Sequence, residues 1–334
     1  MLKIGVIGCG GMGKDHISRL VNKIQGAKVA AVSDVIEESA KEAAKICGAK
    51  VYAEAKDLIA APEVDAVFIV SPGFAHTKPL LQAIEAGKRV FCEKPLATTA
   101  EDCLKIVEAE AASGKHLIQT GFMRRYDKGY RQVKEALDSG NYGEPLMLHC
   151  THRNPEVGTN YNTPMAVHDT AIHEIDVLHW LVDDEYESAQ VIMPRVTKYS
   201  HSELQDPQIM LLRTKKGVCI DVEVFVNCKF GYDINCEVVC EDGVVRMPEP
   251  AYPYIRKNAA LSTTIDMDCF VRFNEAYDVE VQNWVDNAAQ GVIDGPTAWD
   301  GYLAAVTADA LVKAQETGKV EPVVTAVEKP QFYL

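Results

Sequence analysis

A glycine-rich turn close to the N-terminus, Gly8-Cys-Gly-Gly-Met-Gly13, constrains this chain more than any other stretch. The apolar run Lys3-Ile-Gly-Val-Ile7 leads into it as a strand would. Lys14-Asp-His-Ile-Ser-Arg-Leu-Val leaves it with helical spacing. Strand, glycine turn and helix are the context in which GxGxxG binds a dinucleotide. Gly8 makes the tight turn, Gly10 lets the backbone approach a pyrophosphate, and Gly13 lets the helix pack close to the strand. The helix N-terminus then offers N–H donors and a positive dipole end to phosphate.

The next strand, Lys28-Val-Ala-Ala-Val-Ser-Asp34, ends in an acid about twenty residues past Gly13, the position of a ribose-binding carboxylate. Asp34 accepts from ribose hydroxyls and repels a 2′-phosphate. Residues 35–40 hold no arginine for such a phosphate, so NAD is expected over NADP. The alternative role for Asp34 is a helix N-cap. Further strand–helix units follow: Ala66–Val70, the loop Ser71-Pro-Gly-Phe-Ala-His76 and a helix to Ala86; Arg89–Cys92, then Glu93-Lys94-Pro95; a helix over Ala100–Ser113; and a strand over His116–Gly121. This alternation predicts a doubly wound parallel sheet, an α/β Rossmann domain over residues 1–123. Ligands of such sheets sit beyond the strand C-terminal ends, where Asp34, Ser71, His76, Glu93 and Lys94 fall. A lysine at a strand end is usually a solvated charge, but Lys94 follows an apolar strand beside the expected nicotinamide position.

Residues 124–334 read as an α+β domain for substrate binding and oligomerisation. Strand-like runs at 143–153, 188–197, 208–214, 218–226, 232–241 and 244–247 are separated by short turn signals, which predicts a large, mostly antiparallel sheet. One face of such a sheet is left for another subunit, so homo-oligomerisation is expected. Helices are expected at 278–289 and 298–317. The stretch His168–Trp180, read as a helix, puts Asp169, His173, Asp176 and Trp180 on one stripe and Ala171, Ile175, Leu178 and Val182 on the other. The polar stripe alone could be a solvated face. Its carboxylate–imidazole spacing of one turn is also how an oriented general base is built near neutral pH.

The formal net charge of −14 argues against nucleic acid and anionic membrane surfaces as partners. An anionic cofactor remains compatible, because backbone N–H groups can hold its phosphates. Ten scattered cysteines without a CxxC pair, and no secretory signal, predict a reducing cytoplasmic setting rather than a disulfide framework. No cluster has metal-ligand spacing, so no metal is expected. No apolar run approaches the roughly 20 residues needed to span a bilayer.

Gly8–Gly13, Glu93-Lys-Pro95 and Asp169-x-x-x-His173 occur in order and at domain-scale spacing. Together they resemble the Gfo/Idh/MocA oxidoreductase family. Phe91–Glu101, Gly121–Asp127, His152-Arg-Asn-Pro155, His173–Leu181 and Gly295–Gly301 resemble its inositol-oxidising members, and the similarity spans essentially the whole chain. The resemblance implies Lys94, Asp169 and His173 as the catalytic set. It implies NAD contacts from Gly8, Gly10, Met12, Gly13, Asp34, Val35, Ser71, Phe74, His76, Glu93 and Lys94. It places polyol contacts on Met123, Arg124, His152, Asn154, Asp176, Tyr232 and Tyr277, besides Lys94, Asp169 and His173. It implies a homotetramer. The expected reaction is NAD-dependent oxidation of a cyclic polyol hydroxyl, myo-inositol to its 2-ketone. The alternatives are scyllo-inositol, an aldose of the glucose type, or, outside the class, an NAD-dependent glycosidase. His168, a bulky ionisable neighbour of Asp169 that the family pattern does not account for, is a candidate for tuning isomer preference.

Overall fold

The computed structural model describes residues 1–334. It resolves into two compact units, one of residues 1–122, 277–306 and 325–334, the other of residues 123–276 and 307–324. The run of elements along the sequence predicts a single cut after residue 123. The chain instead returns: residues 277–306 and the C-terminal segment pack with the first unit rather than the second.

The first unit contains β1 (Leu2–Ile7), α1 (Gly11–Asn22), β2 (Ala27–Ser33), α2 (Glu37–Cys47), β3 (Lys50–Tyr52), α3 (Ala55–Ala60), β4 (Ala66–Ile69), α4 (Thr77–Glu85), β5 (Arg89–Glu93), α5 (Ala100–Ser113) and β6 (Ile118–Gly121). The sheet is parallel, in the order β3-β2-β1-β4-β5-β6. All four residues of β4 are buried, as expected where helices cover both faces. Its core joins Ile4, Val6, Ile17, Val32, Phe68 and Phe91 to Trp284 from the returning segment. Phe68 stacks on Phe91 at 4.6 Å, and Trp284 meets Phe68 edge-on at 4.9 Å. Each such aromatic buries about 150–250 Å², on the order of 4–6 kcal/mol before entropy is counted. That burial explains why the return of the chain is part of the fold.

The second unit contains α6 (Lys128–Asp138), β7 (Pro145–Arg153), a π-helical turn at Ala166–Ala171 that runs into α7 (Ile172–Val182), β8 (Tyr186–Ile192), β9 (Gln208–Thr214), β10 (Cys219–Phe225), β11 (Asp233–Cys240), β12 (Val244–Arg246), the hairpin β13–β14 (Ile255–Lys257, Ala260–Ser262) and α8 (Cys269–Arg272). Helix α9 (Asn274–Gln290) takes the chain into the first unit, α10 (Ala298–Thr317) brings it back, and β15 (Glu321–Pro322) closes the second sheet. The sheet order is β12-β11-β7-β10-β9-β8-β15. Every pairing is antiparallel except β7 with β10. Strand β11 alternates half-buried and buried residues along its whole length, the signature of a sheet covered more fully on one face.

The periodicity of His168–Trp180 predicts one regular helix. The structure breaks it at residue 171, with a π turn before it and an α-helix after it. The polar stripe is correspondingly uneven: Asp169 is exposed, His173 half-buried and Asp176 buried. None of the ten cysteines is joined in a disulfide. No helix is long and apolar enough to cross a membrane.

Candidate functional site

The glycine turn has the geometry its spacing predicts. Gly8 sits at φ +98°, where a side chain is strained, and a Cβ there would lie 2.4 Å from the Ser71 backbone nitrogen. A Cβ on Gly13 would lie 2.1 Å from the Gly8 carbonyl oxygen, so helix and strand approach as only glycine allows. At Gly10, the N-cap of α1, nothing lies within 4 Å of a built Cβ. Gly10 is therefore glycine not for packing but for an open approach to the helix N-terminus, as a pyrophosphate requires. Met12 packs against the core beneath. Asp34 braces the turn: Oδ2 accepts from Cys9 N at 2.6 Å and Oδ1 from Ile36 N at 2.8 Å. It does not cap α2, whose N-cap is Ile36. Val35 and Phe74 are exposed.

The end of β5 is tied to α1 and to the loop after β4. Glu93 is buried, with Oε1 2.8 Å from His16 Nε2, and its Oε2 accepts from the Lys94 backbone N–H at 3.1 Å. His16 is fully buried on α1, ringed edge-on by Phe68, Phe91 and Tyr277. Buried His76 lies 2.8 Å through Nδ1 from the Pro95 carbonyl and 2.6 Å through Nε2 from the Ser71 carbonyl. Two carbonyls favour an imidazolium, but burial opposes it more strongly and holds the pKa below its ordinary 6.5. A neutral ring can donate to only one of them. His76 thus fastens the Ser71 loop to the Lys94-Pro95 turn. Lys94 itself is half-buried.

In the second unit a buried polar network converges on α7. Arg124, 1% exposed, donates through Nη1 to Glu174 Oε1, and Glu174 is equally buried. The other oxygen, Oε2, lies 2.8 Å from His152 Nδ1, and Arg124 Nη2 lies 3.1 Å from the same nitrogen. Burial pushes the Glu174 carboxyl up, but Arg124 and His152 outweigh it and hold the carboxyl below its ordinary value. Arg124 also lies over the Phe273 ring at 5.2 Å. The His152 ring meets Tyr232 edge-on at 5.7 Å and lies 6.4 Å from the His173 ring. Tyr232 and Asn154 line one cleft of about 490 Å³ with Met267, Asp268 and Cys269. Burial pushes the Tyr232 phenol up, so it is a neutral hydroxyl near neutral pH.

Several expected site residues have partners that their spacing in the sequence does not show. Both oxygens of Asp176 accept from Arg125, the Nε bond measuring 2.9 Å. Asp176 therefore holds a buried ion pair, a constraint its spacing on the helix could not reveal. Tyr277 belongs to the first unit, beside His16 at 5.9 Å and under Arg19 at 5.3 Å. Met123 is buried. His168 is half-buried, and burial lowers its pKa despite nearby Asp309 and Asp169. Sequence reasoning missed His16, Arg125 and Glu174. Glu174 sits beside His173 in the sequence, but on a helix adjacent residues face different ways, so only its partners give it a role.

A doubly wound sheet whose first turn admits a pyrophosphate, followed by a second domain rich in oriented proton-transfer groups, is the plan of an NAD-dependent oxidoreductase. The chain belongs to the Gfo/Idh/MocA family. The family model described as an oxidoreductase family with an NAD-binding Rossmann fold matches residues 2–122, and that of its C-terminal alpha/beta domain matches residues 134–325. The chain is 56% identical over 334 residues to an inositol 2-dehydrogenase of Pseudomonas syringae pv. syringae, covering 99% of each. It is 54% identical to an inositol 2-dehydrogenase/D-chiro-inositol 3-dehydrogenase of Halalkalibacterium halodurans, covering 99% of this chain and 96% of the relative. Among solved structures it is similar to the myo-inositol dehydrogenase of Lactobacillus casei in complex with NAD(H) and myo-inositol: TM-score 0.98, 44% identity, 100% of each chain. The scyllo-inositol dehydrogenase of the same organism matches with TM-score 0.90 and 28% identity. The expected family, Rossmann-plus-α+β fold and NAD cofactor are borne out.

Proposed function

We propose that this enzyme oxidises a secondary hydroxyl of inositol to a ketone with NAD⁺ as acceptor, myo-inositol to the 2-ketone being its main reaction. The observation that carries this is the full-length similarity to inositol 2-dehydrogenases together with a glycine turn that fits a dinucleotide. Gly8, Gly10 and Gly13, with the Asp34 carboxylate, hold the cofactor, assisted by the Ser71–His76 loop and Glu93. When bound, NAD⁺ accepts the hydride from the carbinol carbon. His173 takes the hydroxyl proton as general base. Asp169 favours the resulting imidazolium, a role like that of the acid in a hydrolase triad. Lys94 donates a hydrogen bond to the reacting oxygen and favours developing alkoxide. Arg124, His152, Asn154 and Tyr232 supply donors and acceptors suited to a ring of hydroxyls, and a site built on hydrogen bonds rejects a missing or inverted one strongly.

The relative named as both an inositol 2-dehydrogenase and a D-chiro-inositol 3-dehydrogenase favours a second substrate, D-chiro-inositol. The test is NADH absorbance on a panel of inositol isomers and aldoses, with NAD⁺ and NADP⁺ in parallel. Turnover of myo-inositol with NAD⁺ is expected to exceed that of every aldose. Absence of NADH with all inositols would overturn the reading, and NADH release itself excludes a glycosidase that retains its cofactor.

We further propose a cytoplasmic homotetramer built through the second sheet. Its less covered face carries Met147, His149, Leu211 and Asp221 around an open cleft. A mass of one chain by light scattering would refute the assembly.

A further inference from the structure

We propose that Glu174 is a positioning residue that keeps the proton of His152 on Nδ1, so that the ring meets a polyol hydroxyl through the lone pair on Nε2. The inference rests on reading His152 as a polyol contact.

The count of hydrogens around Nδ1 decides the tautomer. Glu174 Oε1 accepts from Arg124, and Oε2 lies 2.8 Å from His152 Nδ1. Carboxylate and guanidinium are each 1% exposed and face one another, an arrangement that keeps both charged. A carboxylate only accepts, so a lone pair on Nδ1 at that distance would oppose an anion. An N–H there makes a charge-assisted bond. The other neighbour of Nδ1, Arg124 Nη2, only donates and would be met by a lone pair there, but it stands farther off at 3.1 Å and already serves Glu174 through Nη1; the closer carboxylate, which cannot donate, decides for the N–H. In a neutral imidazole the second nitrogen then carries the lone pair. A ring flip would place a carbon opposite the carboxylate, and the Tyr232 ring, edge-on at 5.7 Å, also packs against the seated imidazole. His152 therefore asks for a hydroxyl that donates, leaving that oxygen's lone pairs for other groups.

Glu174→Gln is a designed reversal. The glutamine carbonyl must face Arg124, which only donates, so its NH₂ faces His152 Nδ1. That nitrogen becomes the acceptor and the proton moves to Nε2. Nitrogen-15 solid-state NMR of histidine-labelled protein, with the His152 signals assigned by their loss in His152→Gln, reads the tautomer directly. Wild type is expected to show protonated Nδ1 and bare Nε2, and E174Q the reverse. Kinetics on a set of mono-deoxyfluoro-inositols read the consequence, because fluorine accepts weakly and never donates. At one ring position fluorine is expected to be rejected by wild type but tolerated at least about fivefold better, relative to inositol, by E174Q. NAD affinity is expected to stay within about twofold. A protonated Nε2 in wild type overturns the proposal even if E174Q does not fold. A folded E174Q with an unchanged tautomer, or with no change in fluorine tolerance at any position, overturns it too. If no inositol is turned over, the functional reading fails, while the wild-type NMR spectrum still decides the role of Glu174.

Discussion

At the scale of single residues, the chemistry rests on side chains whose partners fix what they can do. His173 is the proposed general base, and such groups commonly contribute about 10²–10⁴ in rate. His173→Ala is therefore expected to lower kcat on that scale while NAD titrates as in wild type. Steady-state kinetics with an unchanged kcat would remove the assignment. Glu174 gives a pH dependence with a definite sign. Its carboxyl lies below the ordinary value of 4.5, because Arg124 and His152 outweigh the burial that pushes it up. The folded state therefore favours the ionised form. That stabilisation is complete above about pH 4.5 and is lost as acid protonates first the unfolded and then the folded chain. The melting temperature of wild type should fall below pH 4.5 more steeply than that of Glu174→Gln, and parallel curves would contradict this. The residue types were legible in the sequence. Their pairings were not: Arg124 and Glu174 are 50 positions apart, and Arg125 and Asp176 are 51. No local pattern links partners at that distance.

At the scale of elements, the turn between β1 and α1 separates two reasons for glycine. Gly13 is required by packing, its Cβ falling 2.1 Å from a backbone oxygen; Gly10 faces open space. Gly13→Ala is expected to lower both the melting temperature and NAD affinity. Gly10→Ala is expected to melt within about a degree of wild type yet bind NAD at least tenfold more weakly, since the methyl meets only the pyrophosphate. Thermal melts and NAD titrations on the pair check this, and equal stability losses would refute it. Elements with dense periodicity appear where the pattern puts them: α5 at Ala100–Ser113, β9 at Gln208–Thr214 and α10 at Ala298–Thr317. The short strand β3 and the hairpin β13–β14 escape the pattern, whereas the equally short β12 is legible because a turn signal sets it off from the long run before it. The π turn before α7 escaped for a related reason: a wider turn shifts the side-chain register without changing the composition.

At the scale of the whole molecule, the chain's end holds the first unit together. Glu110 is fully buried on α5, and its Oε1 accepts from the backbone N–H groups of Leu117 at 2.7 Å and Ile118 at 2.8 Å. The Tyr333 hydroxyl donates to its Oε2, while Phe332 stacks on His116 at 4.0 Å. Burial pushes the Glu110 carboxyl up, and these donors offset part of that cost. Tyr333→Phe removes one of them and is expected to cost about 1–3 kcal/mol, a fall of a few degrees in melting temperature. An unchanged melt would show the contact to be incidental.

The sequence by itself determined the class of molecule. Gly8–Gly13, the alternation of strands and helices, and the acid at Asp34 are local patterns whose meaning is set by backbone sterics and by the fixed periods of helix and strand. Only the tertiary structure decided that residues 277–306 and 325–334 return to the first unit, and that His16, Arg125 and Glu174 stand behind the residues the motifs name. The physical reason is range. Periodicity and turn chemistry act over a few residues. Buried charge must find its counter-charge wherever the chain has brought one, because unpaired it costs several kcal/mol.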